Sequence, residues 1–440
     1  MKKPHIFILL LIAAGVAIAN AAPTTDDQAA RVPVSSETEQ RISALLAAPD
    51  IQSSLEHVRA MESQLHDDLI ELTEIPAPPF GEEKRGLRFA EMLREAGLAD
   101  VTIDEVGNVI GRRPGRSGSK VVAYVAHLDT VFPLETDVTV RVEGDTYYAP
   151  GVGDNTRGLV VVLGVLRALE HNNIETDADI LFIGNVGEEG LGDLRGTKHL
   201  FRDGGPQIDS FIAVDGGDAE RIVYAGVGSH RYRVTFKGPG GHSWGAFGTA
   251  NPHHALARAI ATFAKNAPGV TSTGPKTSYN VGRIGGGTSI NSVPFESWAE
   301  IDMRSGDQGK LDDIDAVLQR AVQEALVEEN AARLRGPELT VDVERVGTRP
   351  AARNDSNAHL VETAAATLRQ FGIEPALKIS STDANLPISL GIPAITMSRG
   401  GDSKDAHSPD ESWRNDKGYL GIQIGMITLL AEAGYAGSVQ

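Results

Sequence analysis

Several short apolar runs of this chain end in residues that can hold a cation or move a proton. "VVAYVAHLDT" delivers His127 and Asp129, "LFIGNVGEEG" delivers Glu188 and Glu189, and "FIAVDGG" delivers Asp215. Asp154 stands in the glycine-rich "YYAPGVGDNTRG", and His407 in "DAHSPDESW", soon after a further apolar run. The adjacent glutamates pose the sharpest question, because like charges this close repel and raise each other's pKa. A solvated acidic turn is the ordinary explanation for one such pair. Five positions on the same predicted edge point instead to bound cations. Two histidines and three carboxylates suit two divalent cations sharing one bridging carboxylate. The two glutamates can then divide the work, one binding metal and the other free to move a proton of water. His127 and Asp129 are two apart in a predicted strand and so point the same way. A carboxylate in that place can orient a liganding histidine ring and fix its tautomer.

The elements that must position these residues alternate between strand and helix. "VVAYVAHLD", "LVVVLGVLRALEHN", "ADILFIGNV" and "SFIAVDGG" predict an α/β domain with a mostly parallel, buried sheet and flanking helices. Ligands of such sheets bind outside the carboxyl ends of the strands, which is where the residues above fall. From Ser229 the pattern changes to β-α-β-β-α-β, the ferredoxin-like split βαβ arrangement, and after "GTRPAARND" the helix-strand alternation resumes. The expected organisation is a signal segment at 1–21, a flexible leader at 22–40 and the first part of a catalytic domain at 41–228. An inserted lid domain at 229–345 and the second part of the catalytic domain at 346–440 complete it.

Composition narrows the chemistry. Of 440 residues 41% are hydrophobic and 23% charged, the formal net charge is −18, and cysteine is absent. That removes disulfides, thiolate metal sites and cysteine nucleophiles. So acidic a chain is a poor partner for nucleic acid or anionic membranes. The start, "MKKPHIFILLLIAAGVAIANAAP", carries two lysines, an apolar core at 6–18 and "ANA" before the expected cleavage after Ala21. This is a secretory signal pattern, too short for a membrane span, and implies an exported, periplasmic or secreted protein without stable membrane insertion.

The ordered set "HLD", "GVGDN", "GEEG", "VDG", "GPGGHS" and "AHSPDE" resembles the two-zinc family of aminoacylases, glutamate carboxypeptidases and peptidase T, from about Leu69 to the C-terminus. The resemblance implies that His127 and Asp215 bind one zinc, His407 and Glu189 the other, and that Asp154 bridges them. It implies Glu188 as general base, Asp129 as the partner of His127, and a cis peptide at Asp154–Asn155. In the lid it implies His242 facing the substrate carbonyl, Asn291 touching substrate and Arg304 binding a substrate carboxylate. The implied activity is hydrolysis of amide bonds in small peptides or N-acyl amino acids by a homodimer joined through its lids. Cobalt or manganese could take the zinc positions, and an N-acyl amino acid deacylase of the same family is the alternative activity. Two departures stand out. "WGAFGTANP" follows "GGHS" where the family often has an earlier proline, and "SSTDANLPISLGIPAI" resembles the peptidase T branch.

Other readings leave more unexplained. A two-histidine, one-carboxylate iron site gives Asp154, Glu189 and Asp215 no role. A non-catalytic periplasmic binding protein should have lost Glu188 or a ligand. "GVGDNTRG" does not follow an apolar strand as a phosphate loop must. His199, His253 and His254 read as surface or packing residues.

Overall fold

The computed structural model describes residues 32–356 and 358–438. The signal segment and leader residues 22–31 lie outside the described residues. The rest of the expected leader is structured: Val32 is buried, and a helix spans Ser36–Leu46. Ser35 caps it by accepting the Thr38 N–H at 3.2 Å, and Ile42 and Leu45 turn inward. Pro49 then opens a second helix, Pro49–Ala60, at a position where a missing N–H is harmless.

The main sheet has nine strands. In order they are Asp100–Ile103, Val109–Arg113, Asp179–Asn185, Val121–His127, Ser210–Val214, Ala394–Met397, Arg221–Gly226 and Ala352–Arg353, with Ala376–Ser380 also beside Arg221–Gly226. The four middle strands, from Asp179–Asn185 to Ala394–Met397, are parallel, and antiparallel pairs flank them. Helices cover both faces, so every residue of Val121–His127 and Asp179–Asn185 is buried. Alternation sorts the side chains. Val122, Tyr124 and Ala126 join the larger core, and Val121, Ala123 and Val125 the smaller one opposite. Gly164 lets the helix Gly158–His171 approach Tyr419–Ala433, because a Cβ there would stand 2.6 Å from Ile422 Cδ1. Among the described residues no helix is long and apolar enough to cross a membrane.

Between Gly228 and Arg349 the chain builds a second sheet, with strand order Thr277–Gly286, Glu296–Ser305, Gly228–Lys237, Thr340–Arg349, all antiparallel. The helices Pro252–Asn266 and Gln308–Ala332 pack on it around Val234, Phe236, Phe263, Ile301 and Leu318. Asn251 and Asp307 cap them, accepting the N–H groups of His253 and Lys310. The boundary expected at 345 falls inside the last strand. A register shift beside Arg231 and Tyr232 lets pairing continue to Arg349, which lies opposite Ser229.

Asp315 fastens the long helix to this sheet. Its Oδ2 accepts the Tyr232 hydroxyl at 2.8 Å and lies 2.9 Å from both His230 Nδ1 and Arg345 Nη2, while its Oδ1 accepts Gln319 at 3.0 Å. Burial works against its charge, but the hydrogen bonds from His230, Gln319 and Tyr232 prevail and pull its pKa down to about 2. A depressed carboxyl stabilises the fold above its ordinary pKa, and that contribution is lost as pH falls through the folded value. Asp315→Asn should therefore lower the unfolding free energy at neutral pH by about 1–2 kcal/mol, allowing for solvent screening. Urea denaturation should show the gap to the unaltered protein narrowing as pH falls from ordinary carboxyl values toward about 2. A gap independent of pH would show that charge on Asp315 is not what holds the helix.

Candidate metal centre

The carboxyl ends of the parallel strands converge on one cluster. His127 ends its strand, and its Nδ1 lies 2.9 Å from the Asp129 carbonyl oxygen. A carbonyl only accepts, so Nδ1 carries a hydrogen, and Nε2 is turned to Asp154 Oδ1, 3.5 Å away. The Asp129 backbone thus orients the ring, with Asp129 Oδ1 also 3.7 Å from Nδ1, and the Asp129 carboxylate has a second task. It is fully buried and accepts the N–H of Glu188 at 3.0 Å and of Glu189 at 2.7 Å. The Asp129 side chain thus lies beside the ring, as expected of a partner of His127, and also shapes the glutamate loop.

Asp154 sits in the tight turn Val152–Arg157, where the Asp154–Asn155 peptide is cis. The turn wraps the buried Glu411 carboxylate, which accepts the N–H groups of Gly151, Gly153 and Asp154 at 2.9, 2.9 and 2.7 Å. Glu411, the last residue of "AHSPDE", thereby ties the Asp154 turn to the loop of His407. His407 has φ 66° and an exposed ring whose Nε2 lies 2.9 Å from Glu189 Oε1 and 3.3 Å from Asp154 Oδ2. Donor atoms of His127, Asp154 and Glu189 all fall within 4.8 Å of one another. Asp215 follows its strand as expected, and its Oδ1 is held 3.1 Å from Arg399 Nη1. Glu188 points elsewhere: its Oε1 accepts Arg349 Nη1 at 2.8 Å, and its carbonyl accepts Nη2.

Burial opposes charge throughout this cluster. It pushes the Glu188 carboxyl well above the usual range, with Arg349 opposing the shift and Glu189 adding to it. For Asp154 burial is outweighed by Arg399 and the histidines, which hold its carboxyl well below the usual range. Hydrogen bonds to Asp154 and Glu189 push the His407 imidazole up to about 10. Burial likewise disfavours the His127 imidazolium, but Asp154, Asp129 and Glu188 prevail and raise it. Lone pairs that hold protons so firmly are the ones a divalent cation can claim. Two imidazoles and several carboxylates, without sulfur, fit zinc, cobalt or manganese.

The small unit holds the remaining expected residues. The His242 ring is exposed, and its Nδ1 accepts the Trp244 N–H at 3.2 Å. Asn291 is its neighbour through the short pairing of Gly241–His242 with Ser292–Val293, and the Asn291 carbonyl accepts the Ser243 N–H at 2.9 Å. Arg304 donates from Nε to Asp302 at 2.7 Å. The bonds of all three stay within this unit, so the structure does not join them to the cluster. His199 and His253 have ordinary partners, Glu105 and Ser297. Arg349 and Arg399 escaped the sequence reading. Arg399 directly follows the apolar run "PAITMS", the same signal that marked Asp215, whereas nothing in "GTRP" distinguishes Arg349.

Comparison with known proteins agrees with this architecture. Carboxypeptidase G2 of Pseudomonas sp. (strain RS-16) is 25% identical over 273 residues, 60% of this chain and 61% of that protein. Matches to the curated relatives span as little as 33% of their length. Aminopeptidase PepT from Bacillus cereus ATCC 10987 shares the fold with a TM-score of 0.65 and 22% identity, over 83% of this chain and 98% of that one. The Bacillus subtilis YXEP protein, a dinuclear metal binding peptidase, shares it with a TM-score of 0.60 and 16% identity, over 85% and 99%. Residues 123–430 match the family model for peptidase family M20/M25/M40. By that match, the chain is a member of peptidase family M20/M25/M40.

Proposed function

We propose that this protein is a metal-dependent hydrolase of amide bonds in small peptides, acting as an exopeptidase. The observation that carries the reading is the gathering of His127, Asp154, Glu189 and His407 around one point, with Glu188 placed beside them by the same loop. Those four residues and Asp215 would hold two cations, for which zinc is the proposed identity. When bound, such cations polarise an amide carbonyl and make a nearby water more acidic. Glu188 takes the proton of the attacking water and returns it to the departing amine. Asp129 fixes both glutamates through their amides, so the base cannot drift from the ligand. The iron-oxygenase reading gives most of these carboxylates no role. A screen of dipeptides, tripeptides and N-acyl amino acids tests the substrate class: cleavage confined to N-acyl amino acids would replace the exopeptidase by a deacylase.

Glu188→Gln should keep its metal and lose turnover by at least roughly a hundredfold, the worth of a general base. Glu189→Gln should lose metal. Equal metal contents in the two variants would overturn this division of labour.

Arg304 is the proposed reader of a substrate carboxylate, which its fork-shaped guanidinium suits. Arg304→Ala should weaken substrates with a free carboxylate, mostly through KM, by the equivalent of about 2–4 kcal/mol for a pair desolvated by the bound substrate, and leave amidated substrates nearly unaffected. Equal losses on both would remove Arg304 from this role.

We further propose a homodimer joined through the small unit, in which His242 serves the partner's site. Its support is that the bonds of His242 stay within the small unit, and that the edge strand Thr277–Gly286 is exposed with Ile284 outward. Glu188→Gln and His242→Ala homodimers would each be inactive. Mixed in equal amounts and exchanged, half the dimers become heterodimers and about a quarter of all sites recover, given twofold symmetry. No recovery after exchange proven by mass spectrometry would refute the arrangement.

A further inference from the structure

Arg399 stands where a simple pair of cation sites has no room for positive charge. It follows the strand Ala394–Met397, and its backbone N–H donates to the Gly216 carbonyl at 3.0 Å. The neighbouring Asp215 N–H donates to the Met397 carbonyl at 2.9 Å. These two bonds lace the ends of adjacent parallel strands and aim the Arg399 side chain into the cluster. There Nη1 lies 3.1 Å from Asp215 Oδ1, 3.3 Å from Asp154 Oδ1 and 3.4 Å from Asn155 Oδ1. The residue is only 3% exposed, so water screens these interactions little.

We infer that Arg399 is a positioning residue that makes the two cation positions unequal, leaving one tight and the other weak. The inference rests on the reading of the cluster as a metal centre. Asp154, Glu189 and Asp215 together bring three negative charges, and an arginine side chain keeps its single positive charge at any working pH. A cation set between Asp154 and Asp215 lies beside that positive charge in a buried site, where repulsion is felt strongly. The geometry says which position suffers. His407 faces Glu189 and Asp154 Oδ2, whereas His127 faces Asp154 Oδ1, the oxygen that Arg399 also approaches. The carboxylate of Asp215, and one oxygen of Asp154, are already engaged by the guanidinium. The tight position is therefore the one on the Glu189–His407 side, and the weak one lies between Asp154 and Asp215. Arg399 also keeps Asp215 from swinging away when its position is vacant, since an unpaired buried carboxylate is costly.

The test is equilibrium dialysis of the full-length, chelator-stripped protein against buffered zinc, with bound zinc per chain read by elemental analysis. The unaltered protein should load one zinc first, and a second only at free zinc at least about tenfold higher. Arg399→Met, which keeps the bulk and removes the charge, should bring the two steps together. Arg399→Lys, which keeps the charge, should preserve the gap. Circular dichroism checks that each variant folds, and if Arg399→Met does not, the two-step loading of the unaltered protein and of Arg399→Lys decides the matter. Simultaneous loading of two zincs by the unaltered protein, or an unchanged gap in folded Arg399→Met, overturns the inference and leaves the metal centre intact. Failure of the unaltered protein to bind zinc, cobalt or manganese overturns the metal centre, and the inference with it.

Discussion

Much of this site hangs on the Asp129 carboxylate, because it fixes both glutamates through their own N–H groups. Two backbone N–H groups at 3.0 and 2.7 Å engage its two oxygens, one each, and hold the carboxylate to the loop. The loop could otherwise rotate, exchanging the positions of two chemically identical side chains. With both amides held, Glu189 is turned to His407 and Glu188 to Arg349. One buried charge thereby separates two roles that residue type alone cannot. It also stores little repulsion, since a carboxylate met by amide dipoles is stabilised in place.

A second carboxylate does the same for the other half of the cluster. Glu411 is enclosed by three amides of the Asp154 turn, and its own loop carries His407. The metal-facing residues thus stand one step in front of a scaffold of carboxylate–amide bonds. Such bonds are stronger than neutral ones and resist small displacements, which is what a coordination site requires.

The sequence made the strand ends legible, and with them His127, Asp154, Glu189, Asp215 and His407, because apolar runs announce parallel strands and polar residues just beyond them have few other reasons to be there. Tertiary partners were not legible. Asp129 was legible as the neighbour of His127, but not as the residue whose carboxylate also holds the glutamate loop. Arg349 approaches Glu188 from the far end of the small unit, a closeness that no local pattern encodes. Arg399 satisfied the same strand-end criterion as Asp215, but a search for cation ligands passes over a cation. The boundary at 345 failed for a local reason: the bulge beside Tyr232 hides the alternation of the last residues of its partner strand.

The ends of the small unit carry a lesson about how such a chain folds. Ser229 and Arg349 are paired neighbours, and just outside them Gly226 pairs with Ala352, as the two arms of a hairpin would. To the main sheet the whole excursion is a turn. Closing a disordered loop of that length would carry an entropy cost that grows with the logarithm of its length. Here the small unit meets that cost within its own antiparallel sheet, and hands back two ends already at hairpin spacing. Strands far apart in sequence become local neighbours once it has folded, which lowers the effective contact order of the main sheet. A replacement module would be accepted at this point on one condition, that its two ends emerge side by side and antiparallel.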